Sequence, residues 1–289
     1  MHLIVTVDTE ADDQWKEDVP LTLDNVSALP RFQSLCEKYD IIPTYFVTYE
    51  VATHQRISSF LKKWQDEGKA EIGAHLHPWT TPPLKKGEGN TRAFPSELPD
   101  DVLREKLTNL TDTIERTFGK RPTSYRAGRW GYDARQAAIL KVLGYIVDSS
   151  ITPGLSWESR RGTTNHGPDF VQETVEPHML NDTVLEVPMT IIRAGLLRRV
   201  RWLRIFENTT YRDLANVVDT AIRRQLPVVV FMIHSSELVA GKSPYVKDET
   251  ALTHVYTRME ELFALCKEKK ISCRTLSSFA EQYITIRHA

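Results

Sequence analysis

The sequence lacks the features that would place a protein outside the cell or in a membrane. Its three cysteines are far apart and include no Cys-x-x-Cys pair, so they indicate neither a disulfide framework nor a cysteine zinc site. It has no run of about 18 apolar residues, the length that a membrane-spanning helix requires. The first residues, MHLIVTVDTE, lack the basic start and long apolar stretch of a signal peptide. We therefore expect a cytoplasmic protein without a membrane span.

The sequence also lacks an excess of charge of either sign. Its 37 basic and 38 acidic residues leave a net charge of −1. A nucleic-acid partner is not expected, because binding a polyanion requires a surplus of lysine and arginine. Hydrophobic residues make up 41% of the 289 residues and charged residues 26%, which are ordinary values for a globular protein with a sizeable core. This composition leaves the oligomeric state open.

Short apolar segments alternate with amphipathic segments along the chain. Residues 3–7 (LIVTV) and 228–233 (VVVFMI) are continuous apolar runs, which are typical of parallel strands buried on both faces. Further strands are predicted at 43–47, 70–74, 123–126, 145–148 and 184–188, and helices at 25–39, 57–67, 100–118, 136–143, 211–224 and 251–269. The alternation repeats about seven times without a linker. It predicts a single α/β domain over residues 1–289, built as one distorted (β/α)7-type parallel barrel.

Side chains of catalytic type follow these apolar segments at the points where the strands end. Asp8 and Glu10 follow the first strand, His75 and His77 the strand at 70–74, and His234 the strand at 228–233. In parallel α/β folds the carboxyl ends of the strands meet on one face, where ligands bind. One histidine at a strand end is usually a hydrogen-bonded structural residue. Because residues of catalytic type follow several separate strands, a shared active site is favoured.

The spacing of these residues indicates a metal site. Side chains two residues apart on an extended segment point to the same side, so each pair can converge on one point. Two imidazoles and one carboxylate, with positions left open, form a common catalytic zinc set, although iron, cobalt and manganese accept the same ligands. The other acid of the pair Asp8 and Glu10 would then hold or deprotonate a metal-activated water. His234 would act as general acid for the leaving group, and the pattern predicts a metal-dependent hydrolase.

Other residues are weaker candidates, and each has a plain structural alternative. Arg126 and Asp148 end two further strands, where Arg126 can orient a buried carboxylate. Trp79 and Trp130 can form apolar walls for a substrate ring, although tryptophan is also common in a core. Glu237 lies three residues after His234 and can orient that histidine or bind the substrate. The other six of the nine histidines, which include His166 and His254, are expected to be solvated or structural.

These residues and their order resemble the polysaccharide deacetylases, a carbohydrate esterase family with the NodB-homology fold. The resemblance extends roughly from Leu3 to Thr275. The motifs that carry it are residues 6–10 (TVDTE), 71–75 (EIGAH), 125–131 (YRAGRWG), 147–150 (VDSS) and 231–237 (FMIHSSE). In the family the first motif supplies a catalytic base and a metal ligand, and the second supplies a histidine ligand. The resemblance therefore implies that Asp8 is the base and that Glu10 and His75 bind the metal.

The second motif departs from the commonest family pattern. The usual second histidine lies four residues after the first, where this chain has Trp79, and His77 is the nearby substitute that we infer as the remaining ligand. In the other motifs the resemblance implies that Arg126 contacts the base and that an aromatic residue, here Trp130, lines the groove. It further assigns Asp148 as a supporting acid and His234 as the general acid.

The resemblance implies hydrolysis of an N-acyl group, typically N-acetyl, on a sugar or glycan, with zinc as the expected metal. The forms His-Leu-His-Pro-Trp and His-Ser-Ser-Glu-Leu resemble family members associated with bacterial surface-glycan synthesis. Two alternatives stay open within the family: hydrolysis of a non-sugar C–N bond in an imide or ureide, and a glycan-binding domain with impaired catalysis. An amidohydrolase-type barrel also uses a His-x-His pair, but that pair normally follows the first strand.

Overall fold

The computed structural model describes residues 1–14, 16, 20–84, 93–158, 167–194 and 199–288. His166, which was expected to be solvated or structural, lies outside these residues. The strands are β1 (His2–Thr9), β2 (Thr44–Val47), β3 (Glu71–Leu76), β4 (Ser124–Ala127), β5 (Val147–Asp148), β6 (His178–Met179), β7 (Leu185–Glu186), β8 (Ile191–Ala194), β9 (Arg199–Trp202), β10 (Val228–His234) and β11 (Ser272–Cys273). The helices are α1 (Leu29–Lys38), α2 (Tyr49–Thr53), α3 (Gln55–Asp66), α4 (Asp100–Phe118), α5 (Ala134–Leu143), α6 (Tyr211–Arg223), α7 (Glu249–Glu268) and α8 (Leu276–His288).

The main sheet is a curled, mostly parallel half-barrel in the order β10-β1-β2-β3-β4-β5-β7-β6, with β11 also paired to β1. Only β6 runs antiparallel to its neighbour among the described strands of this sheet. The predicted fold class is confirmed. At one edge the hydroxyl of Thr190 accepts a hydrogen bond of 2.7 Å from the backbone of Val230, which ties the segment after β7 to β10.

The apolar runs of the sequence form the centre of this sheet. Seven of the eight residues of β1 are buried, and so are the first six of β10. These two strands pair directly, and apolar side chains on both faces pack against the surrounding helices, as expected for parallel strands.

The helices begin and end at residues that suit those positions. Helix α4 has Asp100 and Asp101 in its first turn, where negative charge favours the helix dipole, and it ends at Gly119, whose φ of 75° suits glycine. The side chain of Asp248 caps the first turn of α7. Within the described residues no helix combines the length and apolar character needed to cross a membrane.

One hairpin was not predicted. Strands β8 and β9 form a separate two-stranded antiparallel sheet between β7 and α6. The segment that follows β9 contributes to the candidate site described below.

The pairing register of the main sheet places the carboxyl ends of the predicted strands at the same level. Asp8 is paired with His234 across β1 and β10, and His75 with Arg126 across β3 and β4. The carboxyl ends of these four strands therefore present their side chains at the same edge of the sheet.

A candidate metal centre at the strand ends

Two histidines and one glutamate converge at this edge. Nε2 of His77 lies 2.7 Å from Oε2 of Glu10, and Nε2 of His75 lies 3.4 Å from the same oxygen. The ligand atoms of the three residues lie within 4.8 Å of one another, and all three residues are buried. Ligands held about 2.0–2.1 Å from one tetrahedral ion are themselves a little over 3 Å apart, so this spacing fits a single metal ion.

His75 is held by the neighbouring strand. Its Nδ1 lies 3.0 Å from the backbone carbonyl of Arg126, and because a carbonyl only accepts, Nδ1 carries the proton. Nε2 is therefore left to face the acids, which is the usual arrangement for a metal-binding histidine. Burial lowers the pKa of His75, but the nearby carboxylates of Asp8 and Glu10 outweigh burial and leave that pKa raised.

His77 is held by its hydrogen bond to Glu10 and by packing. The ring of Trp79 lies 4.3 Å from the His77 ring, centroid to centroid. On the other side there is room only for glycine: a Cβ on Gly128 would lie 2.6 Å from Nδ1 of His77. Burial lowers the pKa of His77 to about 4, although Glu10 opposes this shift. The imidazole is therefore neutral near pH 7.

The charges of the cluster also suit a cation. Asp8 is paired with Arg126, whereas Glu10 contacts no lysine or arginine in the described part of the chain. Buried charges in proteins are normally paired or bound to a metal. Burial raises the pKa of Glu10, but bonds from His75 and His77 outweigh it and hold the pKa below the usual range. Glu10 is therefore a carboxylate that a divalent cation would neutralise.

One carboxylate oxygen of Asp8 is hydrogen-bonded to Arg126, and the other faces the cluster. Arg126, which is fully buried, donates to Oδ1 at 2.6 Å. Oδ2 lies 3.9 Å from Nε2 of His75 and 3.9 Å from Nε2 of His234. Burial raises the pKa of Asp8, but the charges of Arg126, His75 and His234 outweigh it, so the net pKa is lowered. Asp8 is ionised at neutral pH and can accept a proton at Oδ2.

His234 lies beside the carboxylates of Asp8 and Glu10, and its Nδ1 side is held by other residues. Its Nδ1 lies 2.6 Å from Oε1 of Glu237, a carboxylate that can only accept, so Nδ1 donates. Arg204 donates to the same oxygen of Glu237. Burial raises the pKa of Glu237, but Arg204 and His234 outweigh it and the net pKa is lowered. Nε2 of His234 is thereby directed at the cluster, 3.9 Å from Oε1 of Glu10.

The structure places Glu237 behind His234 rather than along an open substrate surface. Only 1% of the residue is exposed, and its partners are Arg204 and His234. The orienting role considered from the sequence fits this position, whereas direct contact with substrate does not.

Arg204 was not singled out from the sequence. It follows β9 in a stretch that contains several arginines, and nothing in their spacing marks the buried one. The only hint is that its neighbours Leu203 and Ile205 are apolar, and both are buried. In the structure Arg204 is 5% exposed and joins the β9 segment to Glu237.

The two predicted tryptophans lie at the border of the cluster. Trp79 is half-buried against His77, and its Nε1 donates to the side chain of Gln14 at 3.2 Å. Trp130 is 8% exposed and lies 5.4 Å from the guanidinium of Arg126. Arg129 and Trp130 both have positive φ, 54° and 62°. Such backbone costs energy for residues other than glycine and is concentrated at functional sites.

Asp148 forms a carboxyl pair with Glu186 on the neighbouring strand. It and Glu186 are fully buried on adjacent strands, and Asp148 accepts a bond of 2.6 Å from Ser150. Burial raises the pKa of Asp148 to about 6, and burial together with the Asp148 charge raises that of Glu186 well above its usual value. The hydrogen bonds found for Asp148 in the described residues do not reach Asp8 or His234.

Comparison of the sequence with protein families gives one match. The model of the polysaccharide deacetylase family matches residues 11–147, a stretch that includes His75, His77 and Arg126. Asp8, Glu10 and His234 lie outside the matched stretch. No curated protein matches the chain.

Solved structures share the fold at low sequence identity. A protein from Mycobacterium smegmatis assigned to the polysaccharide deacetylases is 14% identical, with a TM-score of 0.61 and coverage of 99% of this chain and 91% of that one. A family 4 acetyl xylan esterase from Clostridium thermocellum, solved with cobalt, is 14% identical, with a TM-score of 0.50 and coverage of 96% and 89%. A CE4 family pseudoenzyme from Bacillus anthracis is 10% identical, with a TM-score of 0.50 and coverage of 96% and 65%. At this identity the likeness concerns the fold alone.

Proposed function

We propose, on the premise of the match between residues 11–147 and the polysaccharide deacetylase family, that this chain is a metal-dependent hydrolase that removes an N-acyl group from a sugar or glycan. The acyl group we propose is acetyl, and the metal is zinc, with iron, cobalt and manganese as alternatives that the same ligands accept. The whole chain would form one catalytic domain.

The observation that carries the proposal is the convergence of Asp8, Glu10, His75, His77 and His234. They come from the ends of three strands, and their charged or ligand atoms approach within 4 Å of one another in successive pairs. Glu10, His75 and His77 would hold the metal. A bound divalent cation supplies Lewis acidity, which polarises a carbonyl and makes water more acidic.

The remaining residues divide the proton transfers between them. Oδ2 of Asp8 would accept a proton from the water that attacks the acyl carbon, since Oδ1 is already occupied by Arg126. Nε2 of His234 would donate a proton to the nitrogen as the C–N bond breaks, giving a free amine and a carboxylate product. The proposed base and acid face the same centre, 3.9 Å apart at Oδ2 and Nε2. Glu237 would keep the imidazole turned so that Nε2 points inward.

A saccharide substrate is supported by the family match and by aromatic side chains beside the cluster. Trp79 and Trp130 flank His77 and Arg126, where they would offer apolar surface to a sugar ring. Metal analysis of the purified protein, combined with acetate release from N-acetylated mono- and oligosaccharides, tests the proposal. We expect about one metal per chain, and acetate release that Asp8→Asn slows sharply. Turnover of cyclic imides or ureides without acetate release from any N-acetylated saccharide would show that the substrate is a non-sugar compound with a C–N bond.

One observation favours a second candidate, a glycan-binding domain with impaired catalysis. Trp79 occupies the position four residues after His75 where the commonest family pattern has a metal ligand. Under this alternative the purified protein would hold no stoichiometric metal, and His75→Ala would leave saccharide binding intact. Stoichiometric metal that is lost in His75→Ala would reject it.

A further inference from the structure

The turn at residues 78–83 begins directly after His77 and carries Trp79, so it adjoins two side chains of the candidate site. His77 lies one residue past the end of β3, and the last pair of β3 with β4 joins Leu76 to Ala127. Trp79, whose ring lies against that of His77, comes two residues later. Pairing within the sheet therefore does not by itself fix the backbone of this turn, and contacts from another element are needed.

Helix α4 supplies such contacts through a buried lysine. Lys106 is fully buried. Its Nζ donates to the backbone carbonyls of Pro78, Thr81 and Pro83 at 3.0, 2.8 and 2.6 Å. A lysine ammonium has three N–H donors, and these carbonyls offer one acceptor for each. Lysine is almost never fully buried unless bonds of this kind compensate its charge. The bonds from this one atom hold the turn at three points along its backbone.

A second side chain of α4 reaches the same turn. Asn109 lies three residues after Lys106 on the helix, and its Nδ2 donates to the backbone carbonyl of Pro82 at 3.1 Å. Residues three apart on a helix lie on the same face, so both side chains extend from one face of α4. Together they bind the carbonyls of four of the six residues at 78–83. The turn is therefore attached to α4 along most of its length.

The backbone of the turn is in turn bonded to His77. The N–H groups of Thr80 and Thr81 donate to the carbonyl of His77 at 3.2 and 3.1 Å. Thr81 thus links the two ends: its carbonyl accepts from Lys106 and its N–H donates to His77. A shift of the turn would therefore move the imidazole of His77 relative to Glu10, whose Oε2 now lies 2.7 Å from Nε2.

We propose that Lys106, assisted by Asn109, is a positioning residue that holds this turn and so keeps His77 in place as a metal ligand. The inference rests on the proposed function, and it concerns the departure of this chain from the commonest family pattern. A ligand just past the end of its strand, instead of one at the position of Trp79, needs a turn that another element holds. Lys106 acts through the turn and not on the metal or the substrate.

The test removes the bonds from α4 and measures the metal site with Co²⁺ alone, an ion that the same ligands accept. Lys106→Met removes the three donors and keeps an unbranched side chain. We expect it to bind Co²⁺ at least about tenfold more weakly in competition with a chelator, and to shift the visible absorption bands of the bound ion, which depend on ligand geometry. Asn109→Ala removes one bond and should change both readouts in the same direction by less.

The matched control is Thr111→Val, which changes another buried polar residue of α4. The hydroxyl of Thr111 is hydrogen-bonded to that of Tyr145 at 2.7 Å, so its loss also costs stability but leaves the bonds to the turn intact. We expect Thr111→Val to keep the wild-type affinity for Co²⁺ and the wild-type absorption bands.

A third readout needs no metal. The indole N–H of Trp79 donates to Gln14 at 3.2 Å and gives an NMR signal in protein labelled with ¹⁵N. Trp79→Phe identifies this signal among those of the six tryptophans. We expect the signal of the metal-free protein to move in Lys106→Met and to stay in place in Thr111→Val. If Lys106→Met does not fold, Asn109→Ala gives the same three readouts.

Each outcome separates this inference from the proposed function. Wild-type affinity, absorption bands and indole signal in Lys106→Met and Asn109→Ala would overturn the inference, while acetate release by the wild type would still support the hydrolase. An equal loss of affinity in Thr111→Val would also overturn it, because a general loss of stability would then be the cause. If the wild type binds no Co²⁺, the proposed function fails and the indole signal decides: its movement in Lys106→Met supports the hold on the turn, and an unmoved signal overturns it.

Discussion

The two sides of the candidate site are built differently. On the metal side Glu10, His75 and His77 belong to β1 and β3 or lie directly after them, and the parallel sheet sets their positions. On the acid side β10 delivers His234, but Glu237 and Arg204 orient it from outside the parallel strands. The metal side therefore depends on strand register, and the acid side depends on hydrogen bonds between separate segments.

The two sides also differ in charge. Within the described residues Asp8 and Glu10 on the metal side face a single arginine, Arg126, which leaves an excess of negative charge for a cation. On the acid side Glu237 and Arg204 balance each other. Changes to Glu10, His75 or His77 are therefore expected to alter metal binding, whereas changes on the acid side should slow the reaction and leave the metal in place.

The largest effect is expected from His77→Ala. Losing a ligand should weaken metal binding by more than the roughly 10–100-fold that follows loss of an outer hydrogen-bond partner, and turnover should disappear with the metal. Metal titration against a competing chelator measures the affinity. His54→Ala, at an exposed histidine, is the control and should bind metal normally. Unchanged affinity in His77→Ala would show that another residue is the ligand.

Asp8→Asn tests whether Asp8 acts as the base rather than as a metal ligand. We expect the metal to remain and turnover to fall by about 10²–10⁴-fold, the usual contribution of general base catalysis. Metal content and acetate release are measured on the same sample, and the exposed Asp101→Asn is the control. If Asp8→Asn loses the metal instead, Asp8 is a ligand and Glu10 takes the role of base.

Glu237→Gln tests the acid side. The amide keeps the size of the side chain but removes the charge that accepts from Nδ1 of His234 and pairs with Arg204. Turnover should fall, by less than the roughly 10²–10⁴-fold expected for removing the general acid itself in His234→Ala, and the metal should stay bound. Glu105→Gln, at an exposed position on α4, is the control. Loss of metal in Glu237→Gln would contradict the division of the site into two sides.

This contrast explains how much the sequence allows one to predict. Helix α4 lies at the predicted residues, and the other predicted helices match within a few residues, because apolar periodicity and capping residues mark them. The hairpin of β8 and β9 escaped prediction because its short strands carry no Asn-Gly or Asp-Gly turn.

At the site, the residues that strand geometry positions are the ones that the sequence reveals. The pairs Asp8 and Glu10, and His75 and His77, are recognisable because a strand places alternate residues on one side. Arg204 is not recognisable, because its partner Glu237 is 33 residues away and joins it only through the folded chain. Asp148 was assigned by its motif, and the motif does not reveal the buried pair that Asp148 forms with Glu186.

We expect a substitution in the buried pair of Asp148 and Glu186 to have the smallest effect on turnover and a distinct effect on stability. Burial raises the pKa of Asp148 from 3.8 to about 6, so the folded state holds this proton more tightly than the unfolded chain. A raised carboxyl pKa contributes stability at low pH that is lost as the pH rises, here between about pH 4 and about pH 6. Denaturant unfolding from pH 4 to pH 8 should show the free energy of unfolding of the wild type falling over this window relative to Asp148→Asn, which cannot ionise. The exposed Asp101→Asn should follow the wild type, and parallel curves for wild type and Asp148→Asn would mean that burial does not raise the pKa of Asp148.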